Sequence, residues 1–130
     1  MSKRDELIQK LGTAIQNDDG LQSEPWKLLV LIAKFHEGLS RLQGIGFLED
    51  GEDVPMAATR NDKTGVLGVL AELRAEMSKV DQTDPWLSCL VKIARPSGEI
   101  DIDFEYDEVE RWTVSRANRE AMLKKLDLKL

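Results

Sequence analysis

The chain has 130 residues, a length that suits one compact domain with a hydrophobic core and is short for two. Hydrophobic residues make up 42% of it and charged residues 32%, which excludes a disordered chain and favours a globular one. The net charge is −6, and Cys89 is the only cysteine, so no internal disulfide can form. The N-terminal residues lack the apolar run of a secretory signal, and the longest apolar run, residues 28–33, is far below the ~20 residues of a membrane helix. We therefore expect a cytoplasmic protein with no membrane partner.

The first predicted element is an amphipathic helix over residues 2–16. Ser2 is the expected N-cap, with Asp5 three positions later. The apolar face consists of Leu7, Ile8, Leu11 and Ile15. The sequence NDDG at residues 17–20 is expected to end this helix.

Residues 25–37 contain a short continuous apolar run, which fits either a buried strand or a buried helix. We favour the strand, because Gly38 and the segment LSRLQGIGFL that follows it suggest a hairpin partner. Gly44 and Gly46 weaken that second strand or mark a bulge in it. Residues 49–55, EDGEDVP, are predicted to form a loop on their composition.

A second helix is predicted after NDKTG at residues 61–65, which supplies capping residues. Its buried stripe consists of residues at three- and four-residue intervals, namely Val66, Leu70, Leu73, Met77 and Val80. The sequence DQTDP at residues 81–85 is expected to end it.

The segments on either side of RPSG, residues 95–98, predict a β-hairpin, since Pro96 presets a turn and Gly98 can adopt a left-handed conformation. A register with Arg95 opposite Gly98 places the apolar residues of both strands on one face. That face pairs Ile93 with Ile100, Val91 with Ile102, Cys89 with Phe104 and Leu87 with Tyr106. The opposite face pairs Lys92 with Asp101, and Ser88 with Glu105.

The last predicted elements are a short extended piece over RWTV and a final helix. Ser115 is the expected cap of this helix, which buries Met122, Leu123 and Leu126. The element order is then α-ββ-α-ββ-α. We predict an α+β fold with an antiparallel sheet of about four strands, in two hairpins, and with helices packed on one apolar face.

The segment GEIDIDFEYDE, residues 98–108, places acidic residues at positions 99, 101, 103, 105 and 107. From position 99 to 110 there are seven acidic residues and no basic one, so this segment carries −7 and the rest of the chain +1. Such a segment disfavours nucleic acid as a partner and favours a protein with a basic surface. The row also has simpler explanations, solubility and the prevention of edge pairing, because its self-repulsion costs only on the order of 1 kcal/mol.

No catalytic site, metal site or cofactor is predicted. Carboxylates ~7 Å apart on a flat strand cannot converge on one cation, and EDGED at residues 49–53 lacks the spacing of an EF-hand. His36, the only histidine, is expected to be structural, and the predicted register turns Cys89 toward the core. Motifs of nucleophilic enzymes and phosphate loops are absent from the sequence. We therefore expect a protein that is not an enzyme.

Over residues 84–126, the Trp-led strand, the turn with Pro and Gly, the FEYD sequence at 104–107, the Arg111–Trp112 step and the closing helix resemble a known family. The chain resembles bacterial immunity proteins of polymorphic toxin systems, particularly the YezG-like group. The resemblance implies a small cytoplasmic protein that binds and neutralises a cognate toxin domain, often a nuclease, without catalysing a reaction. It carries over neither catalytic residues nor toxin-contacting residues.

The acidic row and the resemblance together predict a surface that binds a basic toxin domain. The predicted contact residues on the last hairpin are Asp101, Asp103, Glu105, Asp107 and Glu108. The loop residues Glu49, Asp50, Glu52 and Asp53 are expected to supplement them. Trp112 is a candidate aromatic anchor, although a Trp after a strand more often covers the edge of the core. The alternative function is a non-enzymatic cytoplasmic adaptor or chaperone for a basic secreted effector.

Overall fold

The computed structural model describes residues 2–36, 39–59, 65–95, 97–108, 110–112, 115 and 117–126. In chain order, the elements within these residues are α1 (Lys3–Gln16), β1 (Leu28–His36), β2 (Leu39–Phe47), β3 (Asp53–Met56), α2 (Val66–Asp81), β4 (Ser88–Ala94), β5 (Ile100–Glu105) and α3 (Arg119–Leu126). The strands form one antiparallel sheet with the order β3-β2-β1-β4-β5. The predicted α+β class with an antiparallel sheet is confirmed.

The sheet has five strands instead of about four, because the segment EDGEDVP is not entirely a loop. Residues 49–52 form the turn, and β3 then pairs with β2 from Asp53 opposite Phe47 to Met56 opposite Gly44. Its Asp and Pro residues are disfavoured in strands in general. An edge strand tolerates Pro55, however, because one side of such a strand has no ladder to complete.

Helix α1 forms as predicted. The Ser2 hydroxyl accepts a hydrogen bond from the backbone N–H of Asp5 at 3.1 Å, which caps the first turn. Leu7, Leu11 and Ile15 are buried, Ile8 is partly buried against them, and the helix ends at Gln16.

The ambiguous segment at residues 25–37 contains the favoured strand: β1 (Leu28–His36) lies at the centre of the sheet between β2 and β4, and residue 37 lies outside the described residues. Its residues 28–33 are apolar on both faces, because both faces of this part of the sheet are covered. Strand β2 pairs with it residue for residue, from Leu28 opposite Phe47 to His36 opposite Leu39. Gly38, in the predicted turn between them, lies outside the described residues.

The bulge considered at Gly44 or Gly46 does not occur in this ladder, which is continuous on both sides of these residues. Gly44 instead allows the close approach of strand β3. A Cβ atom at this position would lie 2.6 Å from the carbonyl oxygen of Met56. The two glycines therefore reflect strand packing and not an interruption of β2.

Helix α2 buries Val66, Leu70, Leu73 and Met77, as predicted. The prediction for Val80 is wrong: 67% of this residue is exposed, because the last turn of the helix projects beyond the core. The helix ends at Asp81, before a left-handed Gln82, where DQTDP predicts its end. Residues 61–64 of the predicted capping sequence lie outside the described residues.

The predicted hairpin register is confirmed from Ile93 opposite Ile100 to Ser88 opposite Glu105. Gly98 has a φ of 75° and donates its N–H to the Ala94 carbonyl, whereas Pro96 of the turn lies outside the described residues. The pairing of Leu87 with Tyr106 is wrong, because β5 ends at Glu105 and the chain then bends.

Helices cover both faces of the sheet, which corrects the prediction that they pack on one face. Helices α1 and α2 pack on the face that carries Leu29, Leu31 and Val91. The opposite face holds a second hydrophobic cluster of Leu28, Val30, Ile32, Ile45, Phe47 and Leu90, together with Trp112 and Met122 of the C-terminal region. A central sheet that is apolar on both faces needs a cover on both.

The C-terminal segment differs from the prediction near its helix. Arg111 and Trp112 lie in a turn, and residues 113 and 114 of the predicted extended piece lie outside the described residues. Ser115 is not the helix cap, because α3 begins at Arg119. The first hydrogen bond of this helix is donated by the backbone N–H of Met122 to the carbonyl of Asn118. Met122 is buried, as predicted, and the side chains of residues 123 and 126 lie outside the described part of the structure.

Candidate interaction surface

Strand β5 presents two exposed carboxylates side by side on one face of the sheet. Its apolar residues pack against the core below α1 and α2, so Asp101 and Asp103 project from the opposite face. Both are exposed. Same-face neighbours on a strand lie about 7 Å apart, close enough for their negative potentials to add.

Glu105, the third acidic residue of the row, is bound within the chain. One carboxylate oxygen accepts a hydrogen bond from the Arg111 guanidinium at 2.7 Å. The other accepts from the backbone N–H groups of Asp107, at 3.0 Å, and Glu108, at 3.1 Å. Its side chain is only 11% exposed. Both carboxylate oxygens of Glu105 therefore hold the bend that follows β5, and its contact with a partner stays a prediction.

These hydrogen bonds lower the pKa of Glu105 to about 2. The Arg111 guanidinium has the largest effect, followed by the N–H groups of Asp107 and Glu108. The Arg111 pKa is raised in turn by the hydrogen bond to Glu105, by the Glu105 charge and, more weakly, by the charge of Asp103. Arg111 thus places one positive charge beside Glu105, at the end of the acidic row next to the bend.

The bend after β5 exposes Tyr106, Asp107 and Glu108 next to the row. Tyr106 is 41% exposed, which is uncommon for a large hydrophobic side chain in the described part of this chain. Its predicted inward orientation relies on β5 continuing past Glu105, and no periodicity in the sequence marks the end of that strand. The acidic surface is defined as Asp101, Asp103, Asp107 and Glu108, and Tyr106, which was expected in the core, is exposed next to it in the chain.

Trp112 packs against the sheet, and its role as an aromatic anchor for a partner stays a prediction. It is only 5% exposed and belongs to the second hydrophobic cluster, which also contains Val30, Leu90 and Met122. The Arg111 guanidinium lies 5.4 Å from the centre of its ring. Glu110 forms an ion pair with Lys34 of β1 at 3.2 Å, which holds the same segment against the sheet. The residue covers the core, as the simpler of the two interpretations states.

The acidic loop lies at the opposite edge of the sheet from the acidic surface. Glu49, Asp50 and Glu52 form the exposed turn before β3, and Asp53 begins that strand. Strands β3 and β5 are the two edges of the sheet. Four strand spacings separate them, about 19 Å. The structure therefore does not bring the loop into the predicted surface.

The lone cysteine is fully buried on β4, and burial raises its pKa to about 12, although a backbone hydrogen bond involving Ala33 acts in the opposite direction. The side chain of His36 lies outside the described residues.

A cleft of about 400 Å³ borders β1 and β2 and is lined by Lys34, Arg41, Gln43 and Met56, among others. The described residues include no group of three or more His, Cys, Asp or Glu side chains placed to hold a metal ion.

None of the helices in the described ranges combines the length and the apolar character that a membrane crossing requires. The chain matches no model of a known protein family and shows no significant match to a curated protein.

Proposed function

We propose that this chain is an immunity protein that binds and neutralises a cognate toxin domain in the cytoplasm, without catalysis. The observation that supports the proposal most strongly is the acidic surface. Its carboxylates at Asp101 and Asp103 project together from an edge strand, and Asp107 and Glu108 extend the negative charge past the bend. They lie in the segment that contains the whole net negative charge of the chain.

The chemistry of nucleases makes such a toxin domain a suitable partner. A nuclease presents Lys and Arg side chains to the phosphates of its substrate. A protein that displays carboxylates at spacings of about 7 Å can occupy this basic surface in place of the nucleic acid backbone. Opposite charges also steer the two proteins together and raise the association rate, most strongly at low salt.

The residues in and around the acidic surface have different proposed roles. Asp101, Asp103, Asp107 and Glu108 are the proposed contacts. Glu105 supports them indirectly, because its hydrogen bonds to the backbone set the direction of the chain at Asp107 and Glu108. Tyr106, which lies between Asp103 and Asp107 in the sequence and is 41% exposed, provides an aromatic contact of the kind that is enriched at the centres of interfaces.

The test removes the same number of charges from each edge of the sheet. The first variant is Asp101→Asn/Asp103→Asn/Asp107→Asn, and the matched control is Glu49→Gln/Asp50→Asn/Glu52→Gln. Affinity and association rate are measured with the proposed toxin domain. We expect the first variant to bind at least ten times more weakly, with the largest loss of association rate at low salt. The control should change affinity by no more than about threefold, since its charges lie at the other edge of the sheet from the acidic surface.

Equal losses in the two variants would show that only net charge matters and would contradict the proposed surface. Rescue of cells that produce the toxin domain tests the immunity function itself. If the chain leaves the activity of its partner unchanged but alters its solubility or export, the adaptor or chaperone function replaces immunity.

A further inference from the structure

Strand β5 has a free edge whose main-chain groups can be assigned residue by residue. The carbonyls of Glu99 and Glu105 accept hydrogen bonds from Ala94 and Leu87, so the odd-numbered residues direct their main-chain groups toward β4. Main-chain direction alternates along a strand. The N–H and C=O groups of Ile100, Ile102 and Phe104 therefore point outward, away from β4. Among the described residues, β5 pairs with β4 alone.

The side chains along this edge differ between the two faces of the sheet. On one face Asp101 and Asp103 are exposed. On the other face Ile100, Ile102 and Phe104 are only partly buried, next to the main core. A strand added outside β5 would have one set of side chains beside carboxylates and the alternate set beside apolar groups. The matching sequence alternates basic and apolar residues.

The two edges of the sheet are protected in different ways. Strand β3 is four residues long and contains Pro55, two features that block the pairing of a further strand. Strand β5 has six residues without Pro, Gly or Lys, so within the strand itself its carboxylates are the protection against pairing. Charge repels a second copy of β5, because an antiparallel pair would bring carboxylates to about 5 Å from one another. It attracts a basic strand instead.

We propose that the outer edge of β5 binds an extended segment in which Lys or Arg alternates with apolar residues, and that this segment joins the sheet as an additional strand. The inference rests on the proposed function for the identity of the partner, a basic toxin domain. It adds the mode of binding, in which main-chain hydrogen bonds to Ile100, Ile102 and Phe104 supplement the ion pairs to Asp101 and Asp103.

The probe is a capped eight-residue peptide of alternating Lys and Val, and its control contains the same residues in two blocks, four Lys followed by four Val. Binding to the full chain is measured by titration, and amide exchange is followed residue by residue by NMR. We expect the alternating peptide to bind at least tenfold more tightly than the block peptide. The amides of Ile100, Ile102 and Phe104 should exchange at least tenfold more slowly in its presence.

A charge-reversed variant, Asp101→Lys/Asp103→Lys, keeps the edge and changes its preference. This variant should no longer bind the alternating Lys–Val peptide and should bind an alternating Glu–Val peptide instead. Tight binding of the Lys–Val peptide without slower exchange at the three outward amides would overturn the inference and leave the acidic surface as a face-on site. Equal affinity for the two Lys–Val peptides, or no binding of either, also overturns it. None of these peptide results affects the cell-rescue experiment with the full chain, which tests the proposed function separately.

Discussion

The role of Trp112 gives the most direct test of the second hydrophobic cluster. Trp112→Ala removes a ring that is only 5% exposed and that packs with Val30, Leu90 and Met122. Burial of roughly 200 Å² of apolar surface at ~25 cal/mol per Å² gives an upper value of about 5 kcal/mol. Because one short helix and a turn cover this face among the described residues, partial collapse should reduce the loss to about 3–5 kcal/mol.

Urea denaturation followed by circular dichroism measures this free energy of unfolding. Tyr106→Ala is the matched control: it also truncates an aromatic residue of the same segment, but one that is 41% exposed, and it should cost about 1 kcal/mol or less. The reasoning would be refuted if Trp112→Ala lay within 1 kcal/mol of the unchanged protein, since Trp112 would then be dispensable for the core and available to a partner.

The remaining predictions concern pH and glycine packing. Because hydrogen bonds in the folded state lower the Glu105 pKa to about 2, its contribution to stability is present above pH ~4.5 and is lost as the pH falls toward 2. The difference in urea midpoint between the unchanged protein and Glu105→Gln should therefore shrink over this pH range, and a constant difference would contradict the hydrogen-bonded state. Gly44→Ala should destabilise by at least about 1 kcal/mol, since its Cβ would meet the Met56 carbonyl at 2.6 Å. Gly12→Ala, in α1, should stabilise the protein by about 0.5–1 kcal/mol, because a Cβ there would have no atom within 4 Å. Thermal unfolding should therefore give Gly12→Ala a higher melting temperature than Gly44→Ala, and the reverse would contradict this reasoning.

The β4–β5 hairpin could be predicted in detail because its sequence permits only one register. Apolar and acidic residues alternate in β5, so a slip of one residue would turn Asp101 and Asp103 into the core. The turn residue Gly98 then adopts the left-handed conformation that the pairing requires. The same argument applies to α1, where a capping residue and a three-to-four-residue spacing agree.

The second face of the sheet could not be predicted in this way. Residues 28–33 are apolar at every position, so the sequence contains no alternation to show which side chains need which cover. Their cover comes from Trp112 and Met122, which are distant in sequence and belong to short elements. Strand β3 was equally hidden, because its Asp and Pro are typical of loops and only an edge position accommodates them.

The acidic row shows a limit of a different kind. Alternation correctly predicts that Asp101, Asp103 and Glu105 share a face, but it does not distinguish an exposed carboxylate from one that binds within the chain. Arg111 reaches Glu105 because the chain bends after the strand, and that bend depends on the Glu105 side chain itself. Local contacts of this kind become visible only once the end of the strand is known.

The buried thiol of Cys89 can be used to measure how often the hydrophobic core opens. A thiol with a pKa of about 12, buried in the core between the sheet and helices α1 and α2, reacts with an alkylating reagent only when this core opens. No second cysteine competes for the reagent. The rate of modification at this single sulfur atom therefore reports how often this core opens, with no need for an introduced label.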